Sequence, residues 1–289
     1  VSQFNLAALS GRSLVAGVVG APVRQSLSPV IHNGWLAACG IDGVYIPFAL
    51  HPDRFEAFVE GLRAGGVSGV NVTLPFKARA LAVADVADAA ARAAGAANLL
   101  LFRPDGTIEA RNTDGIGLLA AFQDQAPEVD FHDAAVVILG AGGAARGALG
   151  ALLDAGVGRI SILNRTEARA RDLAALFDPR VQASSMDAPA AVFSDASVVI
   201  NASAAGLEGA DAPILPLERL GPGSVVMDMV YKPLKTPLLR QADALGLQTV
   251  DGLAMLIGQA RPSFEAFFGQ SAPSGEDARQ WALAQLATP

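Results

Sequence analysis

Charge is scarce in this chain. Of its 289 residues only 17% are Asp, Glu, Lys or Arg, and the mean hydropathy is +0.37. A membrane span is therefore the first class to test. Long apolar runs are lacking too. The longest stretch without a charged residue, 25–41, contains Gln25, Ser26, Ser28, Pro29, His32 and Asn33. A transmembrane helix needs roughly 20 predominantly apolar residues, so no span is expected. The apolarity comes largely from scattered alanine. Residues 1–10 lack a basic segment followed by an apolar core, so no secretory signal is expected. Cysteine occurs once, as Cys39, which excludes an internal disulfide and fits a reducing cytoplasm. Positive charge is the minority, with 21 Lys and Arg against 28 Asp and Glu and a net charge of −7. A nucleic-acid surface would be basic instead. Lysine is rarest: of the 21 basic residues only Lys77, Lys232 and Lys235 are lysine. Neither a low-complexity tail nor an internal repeat stands out.

What is present has a rhythm. The length suggests two domains. In the first third, residues 14–19 read as a strand, and Ser28-Pro29 opens a helix to about residue 39 with serine at the N-cap and proline at N1. Residues 44–49 read as a strand, 53–64 as a helix and 70–73 as a strand. A long alanine-rich helix is expected over 77–94. Residues 98–102 and 107–110 flank Pro104-Asp105-Gly106 and read as a hairpin. Residues 114–125 form a helical bridge to the second region. There, strands at 135–139, 160–163, 198–201 and 224–228 alternate with helices, which implies a parallel doubly wound α/β sheet. The tail from Gly252 onward reads as helical, free to fold back on the first domain.

Gly140-Ala141-Gly142-Gly143-Ala144-Ala145 fits the G-x-G-x-x-G/A dinucleotide fingerprint between an expected strand and an expected helix. The first glycine permits the tight turn, the second lets backbone approach a pyrophosphate, and the helix N-terminus offers free N–H groups. A bare tight turn is the alternative. About 20 residues on, an NAD-preferring site usually carries Asp or Glu for the ribose 2′-OH. Here Asn164-Arg165-Thr166 stands instead, with Arg169 following. Arg165 supplies a permanently charged fork for a 2′-phosphate, and Arg169 could reach the same group. Thr166 offers a hydroxyl donor and a helix cap. NADP(H) is favoured over a solvated helix start with two surface arginines.

Polar residues of the first region cluster at strand ends. Ser26-Leu27-Ser28 could cradle an anion at a helix N-terminus, or Ser28 could simply cap. Asn71 and Thr73 share a face by the period of two. Lys77 opens a helix, where a lysine meets the unfavourable end of the dipole. A surface lysine is the alternative. Asn98 sits at a hairpin strand or in its turn. Asn112-Thr113-Asp114-Gly115 falls at the expected domain junction, where clefts form, and Asp114 could equally cap a helix.

Together these segments resemble the shikimate dehydrogenase family. The resemblance rests on Ser26-Leu27-Ser28-Pro29, on the run from Gly69 through Asn71-Val72-Thr73-Leu74-Pro75-Phe76-Lys77, on Gly95-Ala96-Ala97-Asn98 and on Asn112-Thr113-Asp114-Gly115. It continues through the glycine loop, Asn164-Arg165-Thr166, Asp228-Met229-Val230-Tyr231 and the stretch from Gly252 to Gln259.

It implies an α/β substrate-binding and catalytic domain over 1–113 and a Rossmann-type NADP-binding domain over 114–251. Helices over 252–289 would return to the first domain. It implies reversible, NADPH-dependent reduction of 3-dehydroshikimate to shikimate in aromatic amino-acid biosynthesis, by a cytoplasmic monomer or homodimer. Ser26 and Ser28 would hold the shikimate carboxylate with Tyr231. Asn71, Thr73, Asn98 and Gln259 would bind ring hydroxyls, and Lys77 and Asp114 would form the catalytic pair. Gly140, Ala141, Gly142, Gly143, Ala144, Asn164, Arg165, Thr166 and Arg169 would bind NADP, with Met229 and Gly252 on the nicotinamide side. No metal, nucleic acid or membrane is implied. Asn201-Ala202-Ser203 is poorer in hydroxyls than the form common in relatives, which puts a cofactor role for Ser203 in question. A quinate/shikimate dehydrogenase using NAD and a non-catalytic NADP-binding sensor are the competing readings.

Overall fold

A computed structural model describes residues 9–186, 189–207, 213–274 and 277–287. Most of the N-terminal stretch in which no secretory signal is expected lies outside these residues. Among the described residues no helix is long and apolar enough to cross a membrane. The chain divides into two compact units, Val1–Thr113 with Leu256–Pro289, and Asp114–Met255.

In the first unit β1 (Leu14–Gly20), β2 (Gly43–Ala49), β3 (Gly69–Val72), β4 (Val86–Ala87), β5 (Leu99–Phe102) and β6 (Ile108–Arg111) form a sheet ordered β2-β1-β3-β5-β6-β4. β1 runs parallel to β2 and β3, while β5 is antiparallel to β3 and β6. The helices are α1 (Ser28–Cys39), α2 (Phe55–Arg63), α3 (Lys77–Ala82) and α4 (Ala89–Ala94).

The expected single helix over 77–94 is therefore two short helices with a strand between them. Two aspartates explain the break. Asp85 accepts a hydrogen bond from the backbone N–H of Ile108, and Asp88 caps α4 by accepting from Ala91 N. Backbone bonds from Asp85 N to Ile108 O and from Asp88 N to Ala110 O pair β4 with β6. Asp is a poor helix-interior residue because its side chain competes for backbone groups in this way. The start of α1 also differs by one residue. Leu27 takes the N-cap position without a side-chain bond, and Ser28 is already helical.

In the second unit the strands are β7 (Ala135–Leu139), β8 (Arg159–Leu163), β9 (Val181–Ser184), β10 (Val198–Asn201), β11 (Val225–Asp228) and β12 (Gln248–Val250). The helices are α5 (Asp114–Gln125), α6 (Gly143–Asp154), α7 (Glu167–Ala174), α8 (Ala190–Ser194) and α9 (Pro237–Ala244). The sheet is ordered β12-β11-β10-β7-β8-β9 and all its pairs are parallel. Alternate residues serve opposite faces, as the pleat requires. Val136 and Ile138 join one core with Leu149 and Leu152, whereas Val137 and Leu139 join another with Leu238 and Leu239. Burial on both faces is why these strands are continuous apolar runs in the sequence.

The chain ends in α10 (Gly252–Phe268) and α11 (Asp277–Leu286). From Leu256 onward these residues belong to the first unit. Trp281 of α11 lies so close to α1 that a Cβ on Gly34 would come within 2.2 Å of its indole ring.

An aromatic cluster fills one part of the first unit. His32 is fully buried and stacks on Tyr45, with ring centroids 4.0 Å apart and planes 4° from parallel. Trp35, Phe264 and Phe267 surround it, and neither ring nitrogen has a hydrogen-bond partner. Burial lowers its pKa from 6.5 to about 3. Between these values the unfolded chain binds a proton that the folded chain does not. Stability from this residue is thus complete above pH 6.5 and lost as pH falls toward 3. The slope approaches about 1.4 kcal/mol per pH unit. Urea unfolding of the wild type and of His32→Phe at pH 7, 5 and 4 should show a shallower decline in the variant. Parallel curves would show that His32 does not set the acid response.

Candidate active site

In the first unit hydrogen bonds link polar side chains of β2 and β3 to the segment before β5 and to α10. Tyr45 of β2 donates its hydroxyl to Asn71 Oδ1 at 2.8 Å. Asn71 Nδ2 donates to the Asn98 carbonyl oxygen at 3.1 Å and to Ser263 Oγ at 2.9 Å. Ser263 Oγ donates to the Gln259 carbonyl at 3.2 Å, one turn back along α10. Asn98 Nδ2 donates to Gln259 Oε1 at 3.2 Å and to Thr113 Oγ1 at 3.0 Å, while Thr113 N donates back to Asn98 Oδ1 at 2.8 Å. Tyr45, Asn71, Asn98, Thr113, Gln259 and Ser263 thus form one buried hydrogen-bonded row.

Other expected residues border this row. Ser26 Oγ accepts from Ser28 N at 3.3 Å. Thr73 is half-buried and directly follows β3, and its N–H donates to the Val19 carbonyl at 3.0 Å, extending the pairing with β1. Asn98 likewise precedes its strand. Lys77 is the first residue of α3 and half-buried, and its carbonyl accepts from Ala97 N at 2.8 Å, beside Asn98. Asp114, its expected partner, is buried at the start of α5 and belongs to the second unit.

In the second unit the strand order reverses between β7 and β10, and the loops after both carry expected cofactor residues. Gly140 has φ +104°, which an L side chain rarely adopts. A Cβ there would lie 3.0 Å from the Ala202 carbonyl oxygen, so this loop and the 202–203 loop are in contact. Gly142 is exposed with open space at its Cβ position, leaving backbone accessible at the start of α6. Ala141, Gly143 and Ala144 are half-buried.

Beyond β8, Arg165, Thr166 and Arg169 are exposed, and Asn164 Nδ2 donates to the Thr166 carbonyl at 2.8 Å. Thr166 occupies the N-cap position of α7, but its hydroxyl makes no capping bond. Among the described residues no carboxylate pairs with Arg165 or Arg169. The nearest in sequence, Glu167, is held by Arg171 at 2.7 Å. The donor set therefore fits a doubly charged 2′-phosphate. Ser203 Oγ is spent locally, donating to Asn201 Oδ1 at 2.7 Å and accepting from Ala205 N at 3.1 Å.

Met229 and Gly252 meet directly. A Cβ on Gly252 would fall 2.4 Å from the Met229 carbonyl oxygen, so only glycine fits there. Tyr231 is half-buried on the same connection. Asp228, fully buried at the end of β11, anchors this segment. It accepts from Asn201 Nδ2 (2.9 Å), Val230 N (3.0 Å) and Thr236 Oγ1 (2.6 Å). Burial raises its pKa, and these three bonds oppose the rise.

Sequence reading missed Tyr45, Ser263 and the anchoring role of Asp228. Ser263 lies four residues after Gln259 on a helix, a spacing that signals a shared face. Tyr45 carries no such signal, because its partners depend on strand register.

A 3-2-1-4-5-6 parallel sheet with a glycine loop at its switch point, joined to a unit with a buried polar row, defines a two-domain dinucleotide-dependent oxidoreductase. A family model described as Shikimate dehydrogenase substrate binding domain matches residues 18–100, and one described as Shikimate / quinate 5-dehydrogenase matches residues 122–211. The chain is 55% identical over 279 residues to the shikimate dehydrogenase (NADP(+)) of Caulobacter vibrioides, covering 96% of this chain and 98% of the relative. It is similar to the crystal structure of shikimate 5-dehydrogenase from Thermus thermophilus in complex with NADP(H) and shikimate. There the TM-score is 0.83 and the identity 33%, with 94% of this chain and 99% of that chain covered. A quinate dehydrogenase from Corynebacterium glutamicum in complex with NAD shares the fold at 25% identity and a TM-score of 0.84, covering 95% and 99%. The chain belongs to the shikimate dehydrogenase family.

Proposed function

We propose that this protein is an NADP-dependent shikimate dehydrogenase, reversibly reducing 3-dehydroshikimate to shikimate in aromatic amino-acid biosynthesis in the cytoplasm. What carries the reading is the polar row. Residues from widely separated segments, Tyr45 to Ser263, meet in one hydrogen-bonded line within a chain 55% identical to an NADP-dependent relative. Residues 1–113, with the C-terminal helices, bind substrate, and residues 114–251 bind NADP.

Ser26, Ser28 and Tyr231 take the carboxylate. Asn71, Thr73, Asn98 and Gln259 take the ring hydroxyls. When bound, NADPH supplies a hydride. Reduction of the ketone leaves an alkoxide, which Lys77 stabilises as an ammonium and protonates. In the reverse direction Lys77 removes that proton. Arginine does not release a proton near neutrality and cannot replace it in this step. Asp114 is the second catalytic residue and orients the lysine. Gly140, Ala141, Gly142, Gly143 and Ala144 cradle the pyrophosphate. Asn164, Arg165, Thr166 and Arg169 hold the 2′-phosphate, and Met229 and Gly252 flank the nicotinamide.

The test is an activity matrix of shikimate and quinate against NADP and NAD. Turnover should be greatest with shikimate and NADP. Arg165→Ala should raise the KM for NADP about 10-fold to 100-fold, the loss of charge-assisted hydrogen bonds, with little change for NAD. Preference for quinate with NAD would favour the competing enzyme, and no turnover in any cell would sink both.

A further inference from the structure

We infer that Tyr45 is a positioning residue: it holds Asn71 and, through His32 and Asn33, is held to α1, which carries Ser28, so that it fixes the distance at which the two ends of the substrate are read. This rests on the substrate roles proposed above.

Ser263 gives its only hydroxyl proton to the Gln259 carbonyl, so it can only accept from Asn71. The Asn98 carbonyl can only accept as well. Both N–H groups of the Asn71 amide are therefore committed, and Oδ1 must face Tyr45. The Tyr45 hydroxyl then gives its one proton to Asn71 at 2.8 Å. Asn71 is left with one acceptor lone pair for a ligand, which suits a ring hydroxyl.

Tyr45 itself cannot shift easily. His32 covers one face of its ring, and Phe267 stands 6.1 Å away. Asn33 grips its backbone, accepting from Tyr45 N at 3.0 Å and donating to Tyr45 O at 2.8 Å. Ser28, His32 and Asn33 all belong to α1, so a single helix places the serine and aligns the tyrosine. Burial pushes the phenol pKa well above 10, which keeps the hydroxyl a donor throughout any assay range.

Tyr45→Phe keeps the stack and removes only the hydroxyl. It should raise the KM for shikimate about tenfold, while kcat and the KM for NADP stay within about twofold. The second measurement is a double-mutant cycle in denaturant with Tyr45→Phe and Asn71→Ala. The two should couple by about fivefold in the unfolding equilibrium. An additive cycle would overturn the hydrogen bond. Coupling with an unchanged KM for shikimate would overturn the positioning role, as would equal losses in KM for both substrates. If the unsubstituted protein fails to turn over shikimate, the functional reading itself falls, an outcome seen before any variant is made.

Discussion

Lys77→Ala is expected to lower kcat for shikimate oxidation about 100-fold to 10,000-fold, the usual contribution of a positioned proton-transfer group. The KM for shikimate should change by less than about threefold. Lys77 opens α3 at the end of the Asn71–Lys77 run, and its carbonyl is tied to Ala97 beside Asn98. The hydrogen bonds described for the polar row run between other side chains, so ground-state binding should largely persist while the alkoxide loses its proton donor. Lys77→Arg separates charge from proton transfer, and it should recover little of the rate because guanidinium does not deprotonate near neutrality. Steady-state kinetics across both variants checks this. Equal losses in kcat and binding, together with a lower unfolding midpoint, would make Lys77 structural.

Asp228→Ala should cost about 2–4 kcal/mol of stability. The carboxylate is wholly buried and serves three donors. Asn201 Nδ2 keeps a second partner in the Ala205 carbonyl at 3.2 Å. Val230 N and the Thr236 hydroxyl have no such reserve, and each buried orphan costs about 1–3 kcal/mol. Thr236 also caps α9 by accepting from Leu239 N at 3.3 Å, so the start of that helix loosens as well. Asp228→Asn retains an acceptor for Asn201 and Val230 and should lose less than half as much. Denaturant midpoints at constant m separate the two. A loss under about 0.5 kcal/mol for the alanine variant, the scale of an ordinary surface change, would remove Asp228 as the anchor of this segment.

The central strands of the second unit were legible for a physical reason, while its edge strands Val181–Ser184 and Gln248–Val250 were not. Strands covered on both faces, such as Ala135–Leu139 and Val198–Asn201, are short runs dominated by Val, Ile and Leu. The 77–94 stretch misled because alanine favours helix everywhere. Only the cross-strand bonds of Asp85 and Asp88 break it, and those partners lie on β6, far along the chain. The site was legible through its motifs. Residues 71, 98 and 259 stood out by their surroundings in sequence, whereas Tyr45 and Ser263 did not. Tyr45 reaches Asn71 only because β1 places β2 and β3 on its two sides in one register. That register is a long-range property, and local pattern does not contain it.

The first unit is interrupted by the whole of the second. Asn71 waits 192 positions for Ser263, and Asn98 waits 161 for Gln259. During synthesis the unit Asp114–Met255 is complete while these two amides still lack their final partners. Contacts closed over such long loops are entropically costly and late to form. The substrate row is therefore the last part of the molecule to be finished, and the newborn chain gains its cofactor unit before it gains a place for its substrate.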